Sequence, residues 1–222
     1  MKKIAKKYFS EHENKTDMTQ YYALFIIVVF TSFLGFLVEN IWLVMTVGVI
    51  DNRGMMFPFL LGYGFAVMAI YYLYGTPASP HRLLRRTSGL KMWQRRLVYY
   101  LAVMVAISIG EGAFGMLVEY FCGFIWWDYT DLPLNIGRYV SVPTSAAFSL
   151  IILVFMDVVF TPMFNKCKEL NPKILKGIAI VFSALFFVDN IYSAVYMFKN
   201  SSTVKRWEIR VVKNAILQKL IK

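Results

Sequence analysis

Between Tyr21 and Phe198 the chain falls into five apolar blocks, at about 21–48, 56–74, 97–121, 143–164 and 175–198. Roughly 20 helical residues cross the hydrocarbon core of a bilayer. Inside that core a backbone must satisfy its own polar groups, which leaves helices and closed barrels as the spanning structures. Blocks of this length and continuity predict an all-α membrane protein with about five transmembrane helices. The 222 residues are 58% hydrophobic, and the formal net charge of +11 lies mainly between and around the blocks. That distribution favours contact with membrane lipids and disfavours nucleic acid.

The basic residues set an orientation. The N-terminal segment 1–20 has five (Lys2, Lys3, Lys6, Lys7, Lys15), and the 76–96 connection has six (Arg82, Arg85, Arg86, Lys91, Arg95, Arg96). The 165–176 connection has four (Lys166, Lys168, Lys173, Lys176), whereas the 49–56 and 122–142 loops have one each, Arg53 and Arg138. Lys and Arg collect on the cytoplasmic side, so the N-terminus is expected inside a bacterial inner membrane, with both acidic-aromatic loops outside. The apolar run after segment 1–20 is too long for a signal-peptide core and reads as an uncleaved first span. Residues 21–198 form the transmembrane domain. Residues 199–222 read as a basic amphipathic helix, with Val204, Trp207, Val211, Ala215 and Ile216 on one side. Five spans put this basic tail outside, against the charge rule.

Charged groups within hydrocarbon persist where they pair or face a wet cavity. By that measure Glu111–Pro143 is the most informative stretch. It starts in the third span with Glu111 and Glu119 and continues into a loop with Trp126, Trp127, Asp128, Tyr129, Asp131, Asn135 and Arg138. Ser108, Gly112, Gly115 and Glu119 make a small, polar stripe along the third span, as Ser32, Gly35 and Glu39 do along the first. Small residues on such stripes let another helix approach closely.

The two stripes belong to a possible internal repeat. Gly35-Phe36-Leu37-Val38-Glu39 resembles Gly115-Met116-Leu117-Val118-Glu119, and Arg53 and Arg138 each precede a proline by five residues. Each unit is span, outer loop, span, and both enter from the cytoplasm. The two helix pairs are thus expected to be parallel copies about an axis along the membrane normal, with the fifth span added.

Two readings of the charges stand side by side. Glu39, Arg53, Glu119 and Arg138 either share an outer cavity for an ion, a solute or a lipid headgroup, or each Glu pins its own unit's Arg. The planar fork of Arg suits phosphate or carboxylate, which favours an anionic substrate. Asn52, Tyr63, Glu111, Trp127, Asp128 and Asn135 complete the candidate binding set. Trp126, Trp127 and Tyr129 also suit a membrane–water boundary. Tyr63-Gly64 reads first as a close-packing point. Pro58 is expected in the first turn of the second helix. Asp157 and Asp189-Asn190 either line a path or pair with neighbouring helices.

With two cysteines and two histidines, neither type in ligand spacing, no zinc or haem constellation is visible, and no cofactor is implied. A phosphate-binding GxxxxGK[ST] loop is also missing, so the chain brings no nucleotide engine.

In order, Glu39, Asn52-Arg53-Gly54, Tyr63-Gly64, Glu119, Trp127-Asp128-Tyr129, Asn135 and Gly137-Arg138 resemble the type IV ABC-transporter permease family of Firmicute and related bacteria. The resemblance covers about residues 30–162. Phe57 before Pro58 and Thr130 after the Trp-Asp-Tyr depart from the family's usual Gly and Ser. The resemblance implies transport and a separate ATPase, for which the basic 76–96 loop is the candidate docking surface. The rivals are a membrane enzyme acting on a lipid or polyprenyl phosphate, and a non-catalytic subunit that assembles with other membrane proteins or with a second copy of itself. For the enzyme, Asp128, Asp131 and Glu119 are acid–base candidates, but no nucleophile or metal motif accompanies them.

The charge bias puts Cys122 and Cys167 on opposite membrane faces. An impermeant maleimide applied to intact cells is expected to modify Cys122 alone, with Cys167 reacting only after permeabilisation and denaturation. Equal modification of both in intact cells would overturn the topology.

Overall fold

The computed structural model describes residues 2–211, with side chains from Met18 onward. Helix α1 runs from Lys2 to Thr46, followed by strand β1 (Val49–Asp51) and helix α2 (Leu61–Tyr74). A 3-10 helix, Arg82–Gly89, leads into α3 (Met92–Cys122). The short strands β2 (Asn135–Ile136) and β3 (Val140–Ser141) form a hairpin before α4 (Val142–Val154). A π turn at Phe155–Val159 joins α4 to α5 (Phe160–Glu169). Helix α6 (Pro172–Asn200) and strand β4 (Glu208–Arg210) complete the described chain.

Among the described residues, four stretches are long and apolar enough to cross a membrane: Met18–Thr46, Met92–Cys122, Val142–Glu169 and Pro172–Asn200. Helix α2 has 14 residues, or about 21 Å at 1.5 Å per residue, less than the roughly 30 Å hydrocarbon thickness. The chain just before it, residues 55–60, is non-helical. Leu60 donates its amide to the Ser32 carbonyl at 3.0 Å. The helix therefore begins beside the middle of α1, far below that helix's end at Thr46.

This corrects the expected start of the second helix. Pro58 lies in the non-helical lead-in and not in a first helical turn. The physical reason is Asp189 on α6, a carboxylate only 1% exposed. It accepts the Met56 amide at 2.7 Å and the Phe57 amide at 3.2 Å. Those two donors are taken sideways by a neighbouring helix, and Pro58 has none to offer. Asp189 thus holds non-helical backbone inside the helix bundle. Asp157, in the π turn, accepts Arg96 at 2.8 Å near the start of α3. Of the two roles open to it, helix pairing is the one seen.

The core lies between α1, α2, α3 and the π-turn region. Ile27, Val67, Ile70, Tyr99, Val103, Phe155, Met156 and Phe160 pack there. Much of the outer surface of α3 and α6 is apolar and exposed, with Leu117 and Tyr120 on one and Phe187 and Val188 on the other. Such surface is suited to lipid.

The tail also departs from expectation. Residues 201–211 form no helix. Ser201 takes a left-handed conformation (φ 45°) that ends α6. The chain then turns back, and β4 pairs antiparallel with β1, with Ile209 opposite Ile50. Asn52, itself buried, donates to the Val204 carbonyl at 2.8 Å and accepts the Arg206 amide at 3.1 Å. Trp207 packs edge-on against Phe36. The apolar residues that suggested a lipid-facing helix cover the protein instead. Ala215 and Ile216, where the rest of that helix was expected, lie outside the described residues. The β1–β4 pairing brings the ends of α1 and α6 to one face.

Removing the Asp189 carboxylate strands two amides. Hydrogen bonds to charged groups are worth about 1.5–3 kcal/mol, so Asp189→Ala is expected to lower stability by at least that much. Thermal unfolding of the detergent-solubilised protein measures it, and Asp189→Asn, which keeps one acceptor, is expected to lose less.

Candidate functional site

The two small-residue stripes position the polar groups. On α1, a Cβ added to Gly35 would collide with the Tyr63 ring. Gly64 sits against Ser32 and the Val28 backbone so tightly that no side chain fits. Tyr63 thus lies flat on Gly35, and one turn later its hydroxyl donates to Glu39 Oε1. The other Glu39 oxygen holds Arg53 Nη2 at 2.8 Å. On α3, Gly115 lies under the Tyr139 ring just as closely, and a Cβ added to Gly112 would meet Val140 at 3.3 Å. Tyr139 donates to Glu119 Oε2 at 2.5 Å, and Arg138 Nη1 meets Oε1 at 2.8 Å.

Each half therefore carries one clasp: a glutamate one turn above a glycine, a tyrosine lying on that glycine, and an arginine from the following loop. The tyrosines come from unlike positions. Tyr63 is ten residues past Arg53, whereas Tyr139 directly follows Arg138. The ends of α1 and α3 lie at the same face, where a Cβ added to Gly54 would meet Thr203 at 3.1 Å and Trp126 at 3.8 Å.

Both loops fold back along their helices. Arg53 and Gly54 turn the first with left-handed backbones (φ 49° and 78°), and Asp51 Oδ1 accepts the Arg53 amide at 2.8 Å. Asn40 on α1 anchors that turn through the Asp51 amide at 2.9 Å. In the second loop Tyr129 donates its amide to the Arg138 carbonyl at 2.7 Å, and Trp127 Nε1 donates to the Tyr139 carbonyl at 3.1 Å. Trp127 also stacks on Phe114.

The neighbours Asp128 and Tyr129 serve different clusters. Asp128 faces Arg138 Nε at 3.5 Å and accepts the Thr130 hydroxyl and amide. Those Thr130 donors, with Arg138 adding to them, hold its carboxyl below the usual carboxylate range. The Tyr129 phenol lies within electrostatic reach of Glu111, Glu39 and Arg53, and also of Tyr63. The inner cluster thus comprises Glu39, Arg53, Tyr63, Tyr129 and Glu111. Glu111 Oε2 takes a long hydrogen bond from Ser145 Oγ at 3.4 Å, and Ser108 Oγ donates to Ser145 Oγ at 3.1 Å. The outer cluster is Glu119, Arg138, Asp128 and Tyr139.

Of the candidate residues, Glu39, Arg53, Tyr63 and Glu111 meet in the first cluster. Glu119, Asp128 and Arg138 meet in the second. Trp127 braces the loop between them. Asn52 organises the contact with the tail, and Asn135 closes its own hairpin through the Gly137 carbonyl at 3.1 Å. Each Glu pairs with its own unit's Arg. Sequence reasoning missed Tyr139 and Ser145. Tyr139 carried a signal in its place beside Arg138, opposite a glycine stripe that needed a flat partner. Ser145 carried none.

The fold and these polar groups define a polytopic helical membrane protein with ion-paired carboxylates between its helices. Residues 24–194 match the family described as "Putative ABC-transporter type IV", and the chain belongs to that family. No curated protein and no solved structure matches it.

The two ion pairs differ in exposure. The Glu39 and Arg53 side chains are 23% and 27% exposed, and those of Glu119 and Arg138 are 43% and 41%. Double-mutant cycles with Gln at each position are expected to give only weak, salt-sensitive coupling for Glu119–Arg138. A larger value, on the order of a few kcal/mol, is expected for Glu39–Arg53. Equal couplings would show that burial does not distinguish the pairs.

Proposed function

We propose that the chain is a permease-like membrane subunit that crosses the bilayer five times and works with an ATPase on a separate chain. The non-helical segment 55–60 and α2 together make the second crossing. The carrying observation is the pair of back-folded loops. In each half non-helical backbone runs beside a helix whose lipid-facing side is still apolar. Non-helical backbone at membrane depth is tolerated where protein buries it or where it lines a wet cavity. Broken spans meeting polar groups at a pseudo-repeat interface are how many carriers build a substrate site. The paired Gly-Glu-Tyr-Arg clasps support reading the two halves as parallel repeats.

The charge balance favours a cationic cargo or proton over the anion that two arginines suggest. Arg53 faces both Glu39 and Asp51, the latter at 3.7 Å, and Glu111 adds a third carboxylate. Arg138 is likewise engaged by Glu119 and Asp128. An anion would have to compete with those carboxylates for either guanidinium, although Arg53 Nε is buried without a hydrogen-bond partner. The same occupancy weighs against the lipid-phosphate enzyme, which needs free arginines. Of the inward basic residues, Arg85 and Arg86 on the 3-10 helix are exposed, which suits an acidic docking partner.

Purification in mild detergent, followed by mass spectrometry and an ATP-hydrolysis assay, tests the reading. An ATPase subunit is expected to accompany the wild-type chain and to be lost from the Arg85→Glu/Arg86→Glu variant. A chain that purifies alone and turns over lipid phosphate would overturn it.

A further inference from the structure

The proposed site contains one carboxylate without a counter-ion. Glu111 lies 11 residues before the end of α3 at Cys122, about 16 Å down the helix. Lipid-facing Phe114, Leu117 and Phe121 flank it on the outer side, and Val105 and Ile109 on the inner. Its depth is therefore that of hydrocarbon. Among the described residues it forms no ion pair.

The groups around it come from every neighbouring element. Ser108 lies one turn below on its own helix, and Ser145 on α4 is the nearest donor at 3.4 Å. Glu39 on α1 and Tyr63 on α2 are within electrostatic reach, as is Tyr129 from the loop. The one cation of this cluster, Arg53, is shared by Glu39 and Asp51. Its Nε is buried without a partner, and among the described residues its ion pairs are with Glu39 and Asp51 and not with Glu111. The Ser145 hydroxyl and the Ser108 hydroxyl behind it suit a neutral acid. They do not neutralise a charge, and a second carboxylate nearby opposes one. A group so placed binds a cation or carries its own proton.

We propose that Glu111 is a proton-binding site of the transport cluster, loading when the carboxylate takes a proton from water and unloading when it returns it. The site alternates between an O–H that donates to Ser145 Oγ and a carboxylate that accepts from it. No other bond is made or broken. Size argues for a proton over a metal ion, because the ring of groups offers hydroxyls and one neighbouring carboxylate already held by arginine and tyrosine. This assignment rests on the transporter reading, but protonation is measurable without it.

The test is infrared difference spectroscopy of the full-length protein in nanodiscs, titrated from acid through neutral to alkaline pH. Wild type is expected to show a protonated-carboxyl band that disappears as pH rises. The band should be absent in Glu111→Gln and present, shifted, in Glu111→Asp, with all three proteins unfolding at similar temperatures. Exchanging choline for sodium at fixed pH is expected to leave it unchanged. Lack of a Glu111-dependent band at every pH would overturn the proposal. So would displacement of the band by sodium, which would make the site one for a metal cation. A pH-dependent band in a chain that recruits no ATPase would leave the proton site standing and remove the transporter reading.

Discussion

Backbone that is not helical has to be satisfied by something else when it lies among membrane helices, and most of this structure follows from that demand. The protein meets it with side chains planted on long helices. Asp189 on α6 takes the amides of residues 56 and 57. Asn40 on α1 takes that of Asp51. The second loop satisfies itself through the β2–β3 hairpin and the Tyr129–Arg138 bond. A polar residue in an apolar helix is costly, so its placement opposite an unpaired amide offsets one cost with another.

The two glycine stripes solve the companion problem of space. A loop can fold back against a helix only where that helix has no side chain in the way. Gly35 and Gly115 give that room to Tyr63 and Tyr139. A ring lying on a glycine has little freedom, so its hydroxyl is delivered to the glutamate one turn on. Packing and electrostatics are therefore a single device in each half. The halves arrive at it with tyrosines from different sequence positions, which points to the clasp, and not the loop sequence, as the feature common to both.

Membership of a transporter family and an intramembrane polar cluster bear on one another through charge. Arginine in an outer loop suggests anion capture when read alone. With its carboxylate partners in view, each guanidinium is already occupied, and the cluster around Arg53 is left acidic. The surplus sits on Glu111, which is also the member deepest along its helix. A site that is acidic, partly dry and flanked by phenols is better matched to protons than to phosphate.

The sequence by itself determined what a single segment decides. Apolar length located the long apolar helices, because a helix in lipid satisfies its own backbone and needs no partner to exist. Helical spacing put Ser32, Gly35 and Glu39 on one stripe and Ser108 to Glu119 on another, and those are the faces that pack. Tertiary structure decided whatever depends on a distant donor or acceptor. Asp189, 133 and 132 residues away from Met56 and Phe57, unwound the start of the second span that Pro58 alone appeared to begin. Asn52 and β1 drew residues 201–211 out of the helix their periodicity suggested. A 3.6-residue period records which faces are apolar, and both a lipid surface and a protein surface satisfy it. Which carboxylate kept an arginine and which was left without one was likewise settled by the packing of α1, α3 and α4, since a sequence lists charges and only the fold sets the distances between them.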